Sequence, residues 1–326
     1  MVRQPSKRRQ VTAQVSSQLV RTEHVIEALP PFRLDLTVSA LRRLPSNQVD
    51  VITGDGSYLH AVAAPHAPAL VRVRQTAPER LSLSICADAR DSGRLDAIVA
   101  STARSLGVRR ELDRFYRAST SVVWLAPLAA RMRGLKPPRY RNLWEAFVNA
   151  VVYQQVSLHA ASAVVQRMVA MFGTRLLDGD SAVTLFPDAS IVLAASDDTL
   201  RGLGLSARKL ATLRRAGDAI DSGALDEAEL ESLPTAEIAS RLVSIKGIGP
   251  WTSAVILLRG LGRLDVFPMN DSGVARNLAL AAGEAAPRVE DVTSALGDQR
   301  GMLYYHLLLA RLEAKGETGS PTVRPD

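Results

Sequence analysis

The stretch LVSIKGIGPWTSAVILLRGLGRLDVFPMNDSGVARNL, from Leu242 to Leu278, decides how this chain is read. Just upstream, Thr235 is placed to N-cap a helix that carries Ile238, Leu242 and Ile245 on one face. That helix has to stop at Lys246-Gly247-Ile248-Gly249, where two glycines admit backbone geometries other residues resist. Pro250 then takes the favoured first position of a new helix, followed by Trp251, Ala254, Val255 and Leu258. The reading is helix, tight hairpin, helix. Such a hairpin offers free backbone N–H groups at the second helix's N-terminus, where the macrodipole favours an anion and small glycines let a phosphate come close. On the Gly-x-Gly spacing alone, a plain αα-hairpin is the better reading. Asn270-Asp271-Ser272 further on is a good N-cap cluster, and in isolation capping outweighs catalysis for Asp271.

The whole stretch resembles the helix-hairpin-helix and Gly/Pro-rich-loop-plus-Asp signature of the superfamily that includes endonuclease III and 3-methyladenine DNA glycosylase II. Two further blocks resemble the AlkA-type branch: LWEAFVNAVVYQQVS, Leu143 to Ser157, is similar to the helix before its base pocket, and RGMLYYHLLLARL, from Arg300, to its final helix. In order along residues 30 to 313, these motifs imply a DNA glycosylase that flips a damaged base out of the duplex. Asp271 falls at the family's catalytic aspartate and Arg276 at the arginine that often follows it. Trp251 stands where the bifunctional lyases carry lysine; an indole forms no Schiff base, so the resemblance implies a monofunctional enzyme.

The resemblance also implies a base pocket from Trp251, Tyr153, Gln154 and Trp144, although Tyr153 and Trp144 also fit as amphipathic core aromatics. It implies DNA contacts from Gln155, which would fill the gap left by the flipped nucleotide, and from Lys246, Gly247, Ile248, Gly249, Thr252 and Arg276. Val255 and Leu308 stand where the branch carries aromatics, which leaves room for a wider, less aromatic pocket. The chemistry needs one carboxylate in a water-poor site to stabilise the positive charge that develops on the sugar.

Composition sets the frame. With 326 residues, 47% of them hydrophobic, the chain has enough apolar side chains for two or three domains without staples. A formal net charge of +7 fits a polyanionic partner without requiring one. Residues 101 to 142 hold ten Arg or Lys against Glu111 and Asp113, a net +8 that reads equally as a phosphate track or a solvated face. One cysteine, Cys86, excludes an internal disulfide, a zinc site of several cysteines and a four-cysteine iron–sulfur cluster. The five histidines lack metal-site pairing, so neither cofactor nor metal is expected. No apolar run reaches the roughly 18 to 20 residues that span a bilayer. A cytoplasmic monomer, nucleoid-associated if bacterial, acting on double-stranded DNA that contains damaged bases is expected.

The expected fold is α+β: a small antiparallel sheet and helix, residues 29–114, then a mostly helical domain, residues 115–313, with a basic disordered tail at 1–28 and a disordered tail at 314–326. Period-two spacing suggests strands from Phe32 through Leu34, Leu36 and Val38, then at Tyr58 to Ala64, Val71 to Val73 and Leu81 to Ile85. Residues 91 to 106 read as a helix, Pro137-Pro138 as a linker, and Trp144 to Val169 as one helix or a broken pair. Strand alternation is nearly absent after Leu112. Gly202-Leu203-Gly204-Leu205-Ser206-Ala207 formally matches a dinucleotide fingerprint, but no strand precedes it, so it reads as a helix–helix turn. The function so read is excision of damaged bases, alkylated purines first. The alternatives are oxidised or deaminated bases on the same scaffold, or a non-catalytic DNA-binding protein.

Overall fold

Alternating residues build the first layer. In the computed structural model, which describes residues 18–283 and 287–319, the strands are β1 (Leu19–Glu27), β2 (Val51–Ile52), β3 (Tyr58–Val62), β4 (Ala69–Ala77) and β5 (Arg80–Asp88). They form one antiparallel sheet in the order β1-β5-β4-β3-β2. Val71, Val73, Leu81, Leu83 and Ile85 are fully buried on its inner side, as the period of two requires. Helix α2 (Leu95–Ser105) buries Ile98 against that side.

Two expectations fail here. β1 occupies residues counted above as disordered tail, and the described part of the C-terminal tail is held in place, with the Gly319 N–H donating to Ser39 Oγ at 2.8 Å; residues 1–17 and 320–326 lie outside the described residues. The run Leu34, Leu36, Val38, read above as a strand, is helix α1 (Leu34–Arg42). Its alternation misleads because α1 is buried all round. Leu34, Val38 and Leu41 join one core cluster while Leu36 and Ala40 join another, and the intervening polar residues Asp35, Thr37 and Ser39 are buried as well, so the alternation marks no solvent-facing side.

The rest is mainly helical: α3 (Asp113–Ser119), α4 (Leu125–Arg131), α5 (Leu143–Val152), α6 (Leu158–Phe172), α7 (Ala189–Leu193), α8 (Asp197–Gly202), α9 (Ala207–Asp221), α10 (Glu227–Ser232), α11 (Thr235–Ser244), α12 (Pro250–Arg259), α13 (Ser272–Ala282), α14 (Val289–Leu296) and α15 (Gly301–Ala314). The apolar segment after Trp144 is indeed a broken pair, α5 and α6. A hairpin of β6 (Thr174–Asp178) and β7 (Ser181–Leu185) was not expected; it turns at Gly179, whose φ of +59° suits glycine. Pro137 and Pro138 are buried, with the Pro138 carbonyl accepting from the Tyr305 hydroxyl at 2.9 Å, so the segment is packed chain and not an exposed linker.

One core cluster joins the sheet to α5, α6, α9 and α11, and the second joins α3, α4, α13, α14 and α15. Helices α1 and α12 feed both. The basic stretch 101–142 is no continuous track: Arg104 and Arg139 pair with Glu231, Arg114 with Asp298, Arg131 with Glu313, Arg141 with Asp50 and Glu145, and Lys136 is buried. Ion pairs with acids brought from elsewhere in the chain cancel much of its local charge.

Candidate active site

Asp271 begins the site as a cap. Asn270 turns the chain at φ +60°, a conformation asparagine tolerates better than most, and Asp271 follows as the N-cap of α13. Its Oδ1 accepts the backbone N–H of Gly273 at 2.7 Å and of Val274 at 3.1 Å. Its Oδ2 accepts the indole N–H of Trp251 at 2.9 Å. Three donors therefore fix a half-buried carboxylate in one orientation.

The helix-hairpin-helix forms as the sequence predicts, with α11 opening one residue after Pro234 as N-cap, in place of Thr235. Gly247 has φ +105°, and a Cβ there would lie 2.0 Å from Thr212 Oγ1, so the hairpin rests directly on α9. Gly249 differs: it N-caps α12 and a Cβ there would meet open space. The first N–H groups of α12 lack intrahelical partners and point outward from its N-terminus. Gln154 ties the hairpin to the end of α5, its amide donating to the Gly247 carbonyl at 3.1 Å and to Thr252 Oγ1 at 2.7 Å. Lys246 is exposed, and its carbonyl accepts from Arg215.

Between the hairpin, the α5–α6 turn, the start of α13 and the face of α15 opens a cleft of about 1200 Å³. Asp271, Trp251, Tyr153, Gln154, Gln155, Gly247, Gly249, Thr252 and Arg276 all line it, as does Leu308. Gln155 is exposed at its edge with φ +55°, a conformation that costs a non-glycine residue about 1–2 kcal/mol.

Three sequence-based assignments need correction. Trp144 does not face the cleft: it is 5% exposed, donates its indole N–H to the Pro187 carbonyl and lies near Gly217 of α9. Ile248 points into the core at 4% exposure, leaving only its backbone at the hairpin surface. Thr252 is 3% exposed with its hydroxyl engaged by Gln154. Val255 is buried in the core as well.

Residues that the sequence did not single out complete the cleft. Arg43, Arg208, Lys209, Tyr304, Arg311 and Lys315 line it, giving it six Arg or Lys side chains, Arg276 included, against the single carboxylate of Asp271. Partial burial lowers the pKa of Lys209, whose ammonium donates to the Val152 carbonyl at 2.8 Å. Arg43 follows a run read in sequence as a strand and belongs to no motif there, so nothing marked it. Among the described residues, no group of three or more His, Cys, Asp or Glu is placed to hold a metal ion, and no helix is long and apolar enough to cross a membrane.

Residues 148–296 match the family described as HhH-GPD superfamily base excision DNA repair protein. Residues 148–296 thus form an HhH-GPD region of the chain. The matched HhH-GPD residues contain the α11–α12 hairpin and Asp271, whereas Arg43 and Tyr304 lie outside them. DNA-3-methyladenine glycosylase 1 of Schizosaccharomyces pombe is 30% identical over 151 residues, 46% of this chain and 62% of that protein. DNA-3-methyladenine glycosylase 2 of Escherichia coli is 29% identical over 149 residues, 45% of this chain and 51% of that one. The match thus spans little more than half the length of these curated relatives. The solved structure of a 3-methyladenine DNA glycosylase from Archaeoglobus fulgidus superposes with a TM-score of 0.71 at 24% identity, covering 89% of this chain and 99% of that one, a likeness of fold.

Proposed function

We propose that the protein is a monofunctional DNA glycosylase that extrudes a damaged base from duplex DNA, alkylated purines above all, and hydrolyses its N-glycosidic bond. The observation that carries this reading is the placement of Asp271, held by the α13 N-terminus and by Trp251, in a basic cleft beside the hairpin. The names of the relatives support the alkylpurine class.

Backbone N–H groups at the start of α12, with open space at Gly249, receive a DNA phosphate; these contacts position the duplex without reading its sequence. Gln155, strained at the cleft edge, enters the gap left in the stack. The extruded base lies against Trp251 and Tyr153. As the bond from C1′ to the base nitrogen breaks, its electron pair leaves with the base and positive charge grows on the sugar, where the Asp271 carboxylate stabilises it. Water adds to C1′ and loses a proton, giving a free base and an intact strand with an abasic site. A purine already cationic through alkylation leaves without a strong general acid. With Trp251 at the lyase position, Asp271 works beside an indole and not an amine, and no imine forms there.

Duplexes that each bear one defined lesion test this reading. Incubation should yield strands that break only after alkali or heat, and borohydride should trap no protein–DNA adduct. Intact strands after alkali for every alkylated purine would refute the activity, and a trapped adduct would refute the monofunctional assignment.

A further inference from the structure

Beneath the cleft lie two buried guanidinium groups that, among the described residues, no carboxylate pairs with. Arg259 is fully buried, and its Nη2 donates to the Ala40 and Leu41 carbonyls at 3.1 and 2.8 Å. Arg43, 4% exposed, places its guanidinium 4.2 Å from the Tyr153 ring centre and donates from Nη2 to the Tyr304 hydroxyl at 3.3 Å. Both guanidinium groups flank the ring of Tyr140, at 6.0 and 4.8 Å. Among the described residues, Nε and Nη1 of Arg43 have no hydrogen-bond partner and are themselves buried, so an acceptor meets them only by seating at the bottom of the cleft against Tyr153 and Tyr304.

Arg43 also sits on a strained backbone. Its φ of +64° and ψ of −48°, with the Leu44 N–H donating to the Arg42 carbonyl at 2.7 Å, describe a γ-turn of the rare, strained kind. Strained conformations and unmatched buried cations both oppose folding, and they collect where a ligand later uses them. Arg43 lines the cleft together with Tyr153, Tyr304 and Asp271. On its other side is a cavity of about 30 Å³, room for about one water, too little to satisfy the remaining N–H donors.

We propose that Arg43 is a specificity-determining residue at the floor of the base site, reading the C6 position of the extruded purine and favouring a carbonyl oxygen there over an amino group. This inference rests on the glycosylase reading above. A 6-oxopurine, whether alkylated guanine or deaminated adenine, offers O6 as an acceptor to the unmatched guanidinium N–H groups. An alkylated adenine presents N6–H donors to the same N–H groups and leaves them unmatched. The positive charge of Arg43 opposes any cationic base, so the preference is cleanest between two cationic bases that differ at C6.

Methylated DNA supplies that comparison in one tube, because it releases 7-methylguanine, with O6, and 3-methyladenine, with an amino group, and both are cationic. The ratio of their release rates is the readout. Arg43→Met should lower the 7-methylguanine to 3-methyladenine ratio on the order of ten- to a hundredfold relative to wild type, mainly through loss of 7-methylguanine release. Arg43→Lys keeps the charge and most of the stem but not the planar fork; it should move the ratio the same way by a smaller factor, with folding checked by thermal melting. It also serves if the methionine variant does not fold. Release of both bases at the wild-type ratio by a folded variant, whatever the total rate, overturns the assignment of Arg43 alone. Release of neither base by wild type overturns the glycosylase reading and this inference with it.

Discussion

Trp251 donates its indole N–H to Asp271 Oδ2 at 2.9 Å, which ties the first turn of α12 to the N-cap of α13 across the cleft. A residue read from sequence as a pocket wall is therefore also the group that orients the carboxylate. Trp251→Phe keeps an aromatic face and removes only this bond. A hydrogen bond to a charged group is worth about 1.5–3 kcal/mol. If the bond holds Asp271 for the transition state, kcat should fall on the order of tenfold or more while KM changes little. Single-turnover and steady-state rates on one lesion-bearing duplex check this, and a rise in KM at unchanged kcat would assign Trp251 to base binding alone.

The two hairpin glycines should behave differently. Gly247→Ala forces a Cβ against Thr212 Oγ1 and strains a φ of +105°, so it should lower stability by more than about 1 kcal/mol. Gly249→Val puts its side chain into open space, so the protein should fold normally and lose affinity for every duplex alike. Thermal melts with anisotropy titrations over a salt series separate the two, and wild-type affinity in folded Gly249→Val would remove the phosphate contact from the account.

His306 supplies a pH dependence. It is fully buried beside Phe115, with Nδ1 2.8 Å from the Met302 carbonyl, and burial pushes its pKa down to about 4 from an ordinary 6.5. The unfolded chain binds this proton more tightly, so the contribution is complete above pH 6.5 and is lost as pH falls through 4. It amounts to roughly 3 kcal/mol. His306→Leu should therefore lose less stability than wild type between pH 6.5 and 4 in urea denaturation; identical slopes would place the acid sensitivity elsewhere.

Legibility followed local chemistry. The Gly247–Pro250 hairpin and the Asp271 cap are spelled out over a few adjacent residues, so both could be read before the fold was known. Helix α1 was hidden because two cores claim its opposite faces, and Asp178-Gly179-Asp180 held the one local turn signal of the β6–β7 hairpin. Trp144 and Tyr153 share the same helical segment, and only packing against Pro187 and α9 sends the first inward while the second meets the cleft. Arg43 was beyond reach in the sequence: its burial depends on Tyr140, Tyr153 and Tyr304, brought to it from distant parts of the chain.

The central claim is that the Asp271 carboxylate stabilises charge on the sugar, and single-turnover base release by Asp271→Asn tests it most directly. Asparagine is as good an N-cap and nearly the same shape, so α13 should persist and duplex affinity should remain near wild type while the negative charge is lost. Base release from a lesion-bearing duplex should fall by at least about a hundredfold with binding retained. Release within a few-fold of wild type by the folded variant would contradict that claim.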